Sequence, residues 1–152
     1  MIVFTGGSSV GERDLILDLL EKRGKVLFHG IMIKPGKPTI LGAVGGVVVL
    51  GMPGYPTSCL SNGHLILEPF LRKMTRLPAR RRETVEARVD QRIASMIGRH
   101  QFRPVKVEDG HAQLAFKESG AITNTSEADG YIEIPADVDL IEKDEWVTAT
   151  LF

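Results

Sequence analysis

Residues 4–14, FTGGSSVGERD, decide the fold of the first half of the chain. Residues 2–5, IVFT, have the apolar character of a buried strand, and they run directly into glycines and serines. Residues 12–23 then show helical periodicity, and Gly24 is a helix stop signal. The stretch predicts a strand, a glycine-rich loop and a helix, an order in which backbone N–H groups can hold an anion.

The α/β pattern continues outward from this stretch. The first helix is expected to bury an apolar stripe that contains Leu15 and Leu19. A second strand is predicted over residues 25–33, and a hairpin over residues 40–50 turns at the Gly-Gly pair of residues 45–46. These elements predict part of a doubly wound α/β domain.

A second helix is predicted over residues 59–74. Thr57 or Ser58 would be its N-cap, and Pro69 should kink it. Its apolar stripe is expected to consist of Leu60, Leu67, Leu71 and Met74.

After Pro78 the sequence changes character. Short alternating segments such as VEARVD, FRPVKV and WVTATLF are separated by EDG, ADG and EKDE turns. They predict a small all-β sandwich or barrel, with Trp146 as one of its packing residues. We therefore expect a partial α/β domain over residues 1–77, a basic linker over residues 78–82 and a β-barrel domain over residues 83–152.

Composition limits the classes of function. The chain has 152 residues, of which 43% are hydrophobic and 25% charged, as in soluble globular proteins. The single cysteine, Cys59, excludes an internal disulfide, and the histidines show no metal-ligand spacing with it. His29 and His64 lie in apolar segments and are interpreted as core or surface histidines. No stretch has the character of a membrane span or a signal segment, so we expect a cytoplasmic protein without a membrane partner.

The net charge of zero conceals an asymmetry. Residues 1–82 contain 12 basic and 5 acidic residues, whereas residues 83–152 contain 7 and 14. Six of the basic residues lie in residues 72–82, RKMTRLPARRR. Aromatic residues are not interleaved with them, so the run indicates a solvated linker and helix end, and no nucleic-acid partner is expected.

Three loops are candidates for a functional site, because each follows a predicted strand at its carboxyl end. The first is GGSSVG, residues 6–11, which can expose several backbone N–H groups. The second is KPGKP, residues 34–38, in which two prolines stiffen a pair of lysines that could face a polyanion. The third is PGYPTS, residues 53–58, which has hydroxyls at a helix start. Each loop alone could equally be a structural turn.

Asp14 is the remaining candidate. A carboxylate in the first turn of a helix is ordinarily complementary to the helix dipole. One that faces bound phosphates could instead hold Mg²⁺ or orient a water molecule. Glu12 is the less favoured alternative for that role.

With these motifs the chain resembles a known family. FTGGSSVGERD, KPGKPT and LGMPGYPTSCL resemble, in order and spacing, the second half of the molybdopterin-binding domain of molybdopterin molybdotransferases, the MoeA and gephyrin E-domain type. The usual family forms are roughly TSGGVSVGxxD, KPGKP and GLPGNPVS. Ser8, Tyr55 and Thr57 depart from these forms and resemble variants of the archaeal branch. Residues 83–152 resemble the C-terminal β-barrel of the family.

The resemblance implies a role in molybdenum cofactor biosynthesis. The implied reaction inserts molybdate, or tungstate, into adenylylated molybdopterin, with Mg²⁺-dependent release of AMP. Asp14 would serve catalysis or the metal ion, and Lys34 and Lys37 would also be catalytic. The residues implied to bind the molybdopterin nucleotide are Gly6, Gly7, Ser9, Gly11, Pro53, Gly54 and Ser58.

The family also carries an N-terminal region and a first half of the molybdopterin-binding fold, which the resemblance does not include. The chain is therefore expected to be an incomplete part of the enzyme, working as a homodimer or with the missing N-terminal half. Residues 2–5 would then form a central strand of a larger sheet. The alternative is a noncatalytic module for molybdopterin binding, dimerisation or scaffolding. A molybdopterin adenylyltransferase is disfavoured by residues 83–152, since that family lacks the β-barrel.

Overall fold

The structure is a computed structural model that describes residues 1–6, 14–115 and 126–152. Two compact units are present, Met1–Glu68 and Pro69–Phe152. The first is α/β and the second is all-β apart from the helix at its start, so the predicted fold class is confirmed.

A mixed sheet forms the centre of the first unit. Its strands are β1 (Ile2–Thr5), β2 (Lys25–His29), β4 (Ile40–Val44) and β5 (Val47–Met52), in the order β1-β5-β4-β2. β1 pairs with β5 in parallel, and the β5–β4 and β4–β2 pairs are antiparallel. Strands β1, β5 and β2 consequently run in the same direction, and their carboxyl ends lie at one edge of the sheet.

The predicted hairpin is confirmed. Gly45 and Gly46, with φ of 55° and 81°, connect β4 to β5, and two successive positive φ angles are what a tight hairpin turn requires. The second strand is shorter than predicted, because Gly30 has a φ of 85° and turns the chain away from the strand after His29. Residues Ile33–Lys34 form a separate short strand, β3.

Helix α1 (Leu15–Arg23) packs over β2 and β4 with a different face from the predicted one. Ile16 and Leu20 are buried, and they form a core with Ile40 and Val49. Leu15 is 67% exposed and Leu19 is 40% exposed, so the predicted buried stripe is wrong by one residue. The sequence does not show which of two helix faces is buried. Leu15 and Leu19 form one apolar row at i, i+4 spacing, and Ile16 and Leu20 form an adjacent one.

The second helical segment starts earlier than predicted and buries an unexpected face. It consists of α2 (Pro56–Asn62), a π-helical turn (Gly63–Leu67) and α3 (Glu68–Met74). Tyr55 is the N-cap and makes no side-chain capping bond, so the predicted cap at Thr57 or Ser58 is wrong. Proline is well suited to the first helical position, and this allows the helix to begin at Pro56. The π-helical turn directly precedes the turn that contains Pro69, a residue that has no backbone N–H to donate to a regular helix.

The predicted apolar stripe of this segment is largely exposed. Leu60, Leu71 and Met74 are 46%, 41% and 51% exposed. The buried side chains of α2 are polar, namely Thr57, Ser58, Ser61 and Asn62. Helix α2 therefore packs through a polar face, which hydrophobic periodicity cannot reveal.

Strand β1 lies at the edge of the sheet. In the part of the chain that the structure describes, it hydrogen-bonds on one side only, to β5. Ile2, Val3 and Phe4 are 47%, 36% and 38% exposed, so the expectation of a buried strand is wrong for this chain by itself. An edge strand with exposed apolar side chains is a site at which a further chain segment can pair.

The second unit contains a closed β-barrel. Its strands are β6 (Thr84–Val89), β8 (His100–Glu108), β9 (His111–Leu114), β10 (Gly130–Ile134) and β12 (Trp146–Leu151), and β10 pairs with both β12 and β8. A separate two-stranded pair joins β7 (Ile93–Ala94) to β11 (Leu140–Ile141).

The barrel core consists of small and β-branched residues. The members that are at most 1% exposed are Ala87, Val89, Val105, Ala112, Ile132, Ile134 and Ala149. Trp146 is not one of them, which corrects the sequence interpretation: it is 57% exposed, and the Arg88 guanidinium lies 4.7 Å from its ring centroid.

Among the described residues, no helix is both long and apolar enough to cross a bilayer.

Candidate functional site

The three predicted loops leave the same edge of the sheet in the first unit. Gly6 follows β1, the segment 30–39 connects β2 to β4, and Pro53 follows β5. Because β1, β2 and β5 run in the same direction, these connections start at the same edge of the sheet, where β1 and β5 are neighbours and β2 is separated from β5 by β4. Gly7, Ser9, Gly11 and Glu12 lie outside the described residues.

The first and third loops touch through their glycines. The N–H of Gly6 donates to the carbonyl of Met52 at 3.2 Å, which extends the β1–β5 pairing into the loop. A Cβ atom at Gly54 would lie 3.1 Å from the Cα of Gly6. A Cβ contact this close would require the neighbouring backbone to shift, and Gly6 also has a φ of 80°, which favours glycine.

The lysine-containing loop is closed by its own backbone. Gly30 N–H donates to Thr39 O at 2.8 Å, and Ile31 N–H donates to Lys37 O at 3.0 Å. Pro35 follows Lys34 through a cis peptide bond. Lys34 is half-buried and Lys37 is exposed, so both lysines can contribute positive charge at this edge.

Asn62 joins the lysine loop to α2, and the sequence analysis did not identify it. Its Nδ2 donates to Gly36 O at 3.2 Å and to Thr39 Oγ1 at 2.5 Å. Both Asn62 and Thr39 are fully buried. A single asparagine within a helix provides no sequence signal for this contact, which spans 26 residues to Gly36.

Asp14 has two functions in the fold of this edge. Its Oδ1 accepts hydrogen bonds from the N–H groups of Ile16 and Leu17, both at 3.1 Å, and so caps α1. Its Oδ2 lies 3.3 Å from Nε2 of His29, close enough for an ion pair when the imidazole is protonated. The geometry is not that of a hydrogen bond, and in the part of the chain that the structure describes this buried oxygen has no hydrogen-bond partner. The sequence analysis did not connect His29 to the site.

The third loop contributes residues of different exposure. Pro53 and Ser58 are buried, whereas Gly54 and Tyr55 are exposed. Ser58 lies in the first turn of α2, next to Cys59, and burial raises the pKa of the Cys59 thiol. The exposed part of this loop is therefore its turn, which adjoins Gly6.

The edge brings together groups suited to a phosphorylated ligand. Two lysines on one loop supply positive charge, the exposed Gly54 lies beside Gly6, and Asp14 supplies a carboxylate oxygen. The described residues contain no group of three or more histidine, cysteine or acidic side chains that could hold a metal ion by themselves. Fold and site together define an α/β domain with three loops at one sheet edge, followed along the chain by a β-barrel.

Comparison with known families identifies this class more closely. Residues 1–73 match the family described as "Probable molybdopterin binding domain", and residues 86–152 match the family described as "MoeA C-terminal region (domain IV)". The chain belongs to the MoeA family of molybdopterin molybdotransferases, of which it contains these two regions.

Individual relatives match over nearly the whole chain. A protein of Methanocaldococcus jannaschii named for molybdopterin biosynthesis is 34% identical over 99% of this chain. Molybdopterin molybdenumtransferase 2 of Mycobacterium tuberculosis is 28% identical over 91% of it. The crystal structure of a molybdopterin biosynthesis MoeA protein from Pyrococcus horikoshii superposes with a TM-score of 0.79, at 42% identity over 98% of this chain. This chain spans 36% of the length of each of these three proteins.

Proposed function

We propose that this chain contributes the nucleotide-binding edge of a molybdopterin molybdotransferase. The reaction would insert molybdate, or tungstate, into adenylylated molybdopterin and release AMP. The observation that carries this proposal is the convergence of three loops at one sheet edge, with Gly6 against Gly54 and the lysine loop tied to α2. Relatives named molybdopterin molybdenumtransferase support the substrate class.

Lys34 and Lys37 would bind the phosphates of the nucleotide. Ammonium groups stabilise phosphate oxygens through charge-assisted hydrogen bonds, which are about twice as strong as neutral ones. The backbone around Gly6 and Gly54 would approach the ligand closely, and Pro53 and Ser58 would support the third loop. Gly7, Ser9 and Gly11 are assigned to the same ligand by their place in the motif.

Asp14 would hold Mg²⁺ through its buried Oδ2, which accepts no hydrogen bond from residues 1–6, 14–115 or 126–152. Magnesium is commonly bound by one or two carboxylates together with substrate phosphates, so a single carboxylate oxygen at a phosphate site fits this ion. The ion, when bound, would neutralise charge on the phosphate oxygens. Asp14 Oδ1 stays engaged in the helix cap, so the carboxylate keeps one orientation.

A second candidate function is a noncatalytic binding or scaffold module. The exposed apolar edge of β1 favours it, because a free strand edge promotes association. The partner would be a second copy of the chain or the N-terminal segments that the longer relatives carry. In this alternative the nucleotide binds without turnover.

The release of AMP separates the two functions. Purified chain is incubated with adenylylated molybdopterin, Mg²⁺ and molybdate, and AMP is measured over time. The enzymatic function predicts release that Asp14→Asn and Lys34→Ala abolish, while Lys106→Ala, a barrel-domain control, keeps it. Binding without AMP release by the folded chain would support the scaffold function instead.

A further inference from the structure

Asn62, Thr39 and Gly36 form a closed hydrogen-bonded triangle in the first unit. Asn62 Nδ2 donates to both Gly36 O and Thr39 Oγ1, and Thr39 Oγ1 donates to Gly36 O at 2.7 Å. Since the Gly36 carbonyl can only accept, the amide nitrogen of Asn62 must face it. The orientation of the Asn62 side chain is therefore determined by its partners.

The triangle holds the centre of the lysine loop. Gly36 lies between Lys34 and Lys37 and has a φ of 119°, a conformation that side-chain-bearing residues rarely adopt. The space that a Cβ atom at Gly36 would occupy is filled by the Asn62 amide. The backbone that separates the two lysines thus packs directly on a side chain from α2.

A purely structural role does not explain why a polar residue occupies position 62. Asn62 is fully buried, and its Oδ1 has no hydrogen-bond partner among the described residues. A buried polar atom without a partner destabilises the folded state, whereas an apolar side chain at the same place would not carry that cost. The Asn62 amide instead gives the lysine loop a specific conformation, because hydrogen-bonded buried polar groups favour one arrangement of the residues around them.

We propose that Asn62 is a positioning residue for the two lysines. By fixing Gly36 it sets the spacing and direction of the Lys34 and Lys37 ammonium groups toward a ligand that carries linked phosphates. Helix α2 follows the third loop directly, so the same side chain also couples the second loop to the third. The inference rests on the proposed function and deepens it, because it concerns how the phosphate site is assembled.

The test measures dissociation constants for two probes, adenylylated molybdopterin and inorganic pyrophosphate, by titration calorimetry. Asn62→Ala removes both amide bonds, and Thr39→Val removes the hydroxyl bonds with almost no change of shape. Both variants are expected to weaken binding of each probe by roughly tenfold or more, the equivalent of one or two lost charge-assisted contacts. If Asn62→Ala does not fold, Thr39→Val still tests whether the triangle positions the lysines, because it removes the bonds of Thr39 Oγ1 to Asn62 and to Gly36, and unchanged affinity in that variant would contradict the proposal.

Ser61→Ala is the matched control. Ser61 is also buried in α2, but its hydroxyl donates to Thr57 O within the helix and does not reach the lysine loop. This variant should lose stability, measured by urea unfolding, and keep its affinity. Equal loss of affinity in Ser61→Ala would overturn the proposal, because it would show that any buried polar deletion in α2 has the effect.

A double-mutant cycle tests whether Asn62 acts through the lysines. In a Lys34→Ala/Lys37→Ala background, Asn62→Ala is expected to cost no further affinity, since interacting sites are not additive. If Asn62→Ala weakens binding as much in that background as in the parent chain, the positioning role is contradicted. Unchanged affinity of folded Asn62→Ala in the parent chain contradicts it as well.

The two probes distinguish failure of this inference from failure of the proposed function. If the parent chain binds pyrophosphate but not adenylylated molybdopterin, the proposed function fails and pyrophosphate still measures the effect of Asn62. If the parent chain binds both probes and Asn62→Ala binds them equally well, only the positioning role fails. If it binds neither probe, both fail.

Discussion

Asp14 combines an observed structural role with a proposed chemical role in one side chain. One carboxylate oxygen caps α1, and the other lies near His29 without a hydrogen bond. A simple truncation of Asp14 would therefore disturb both roles at once. Asparagine separates them, because it is as good an N-cap as aspartate but carries no charge.

Asp14→Asn is predicted to keep the stability of the chain and lose Mg²⁺-dependent AMP release. Asp14→Ala should lose both, with the free energy of unfolding reduced by about 1 kcal/mol through loss of the cap. Urea unfolding measures the first quantity and the AMP assay the second. If Asp14→Asn retains full AMP release, the carboxylate has no role in the reaction.

Cys59 provides an independent check of the environment beside Ser58. Burial raises the pKa of its thiol, so the fraction of reactive thiolate at neutral pH is smaller than in a free cysteine. We predict that iodoacetamide labels Cys59 at pH 7 more slowly than it labels glutathione, and that labelling accelerates as the pH is raised. Labelling at pH 7 as fast as that of glutathione would be inconsistent with the packing described for α2.

At the scale of elements, glycines allow α1 to lie close to the sheet. A Cβ atom at Gly42 would lie 2.7 Å from both methyl groups of Leu20, and one at Gly51 would collide with Ile40 and approach Ile16. These two glycines lie on the strands that pair in the β4–β5 hairpin. The orientation of α1, in which Ile16 and Leu20 face the sheet, depends on the space that these two glycines leave.

Gly51→Ala is predicted to destabilise the chain by about 1 to 3 kcal/mol, because overpacked cores must shift side chains or backbone. Gly63→Ala is the control: nothing lies within 4 Å of its Cβ position, and its backbone is helical, with φ of −57°. We expect this change to stabilise the chain by roughly 0.5 to 1 kcal/mol. Urea unfolding of both variants checks the packing, and similar stabilities would contradict it.

Local signals in the sequence were enough for some elements and not for others. Gly45 and Gly46 predicted the hairpin correctly, since a two-residue turn needs only its own residues. The carboxyl-end position of the three loops also followed from local strand and turn signals. The role of Asn62 did not, because its partner Gly36 lies 26 residues away. The contact between His29 and Asp14 likewise forms only when α1 packs over β2.

At the scale of the whole molecule, the edge of β1 remains open to pairing. Val3 and its neighbours Ile2 and Phe4 are exposed, and α1 lies over β2 and β4 rather than over β1. The relatives are nearly three times as long as this chain, which spans 36% of their length. Additional polypeptide could therefore complete this sheet.

The isolated chain is predicted to self-associate through β1 as its concentration rises. Val3→Lys should reduce this association, because a lysine on an edge strand disfavours strand pairing. Val47→Lys is the control, since Val47 is also an exposed apolar strand residue but lies beside the hairpin turn. Sedimentation velocity measures the association, and a parent chain that stays monomeric at every concentration would contradict the prediction.

Equilibrium binding of adenylylated molybdopterin tests the central claim most directly, because it requires only the loops that this chain itself contributes. The account predicts saturable binding of one nucleotide per chain. Replacing Lys34 and Lys37 by alanine together should weaken it by roughly a hundredfold, and Lys106→Ala in the barrel should leave it unchanged. Absence of binding by the folded chain, or equal binding by the double variant, would contradict the account.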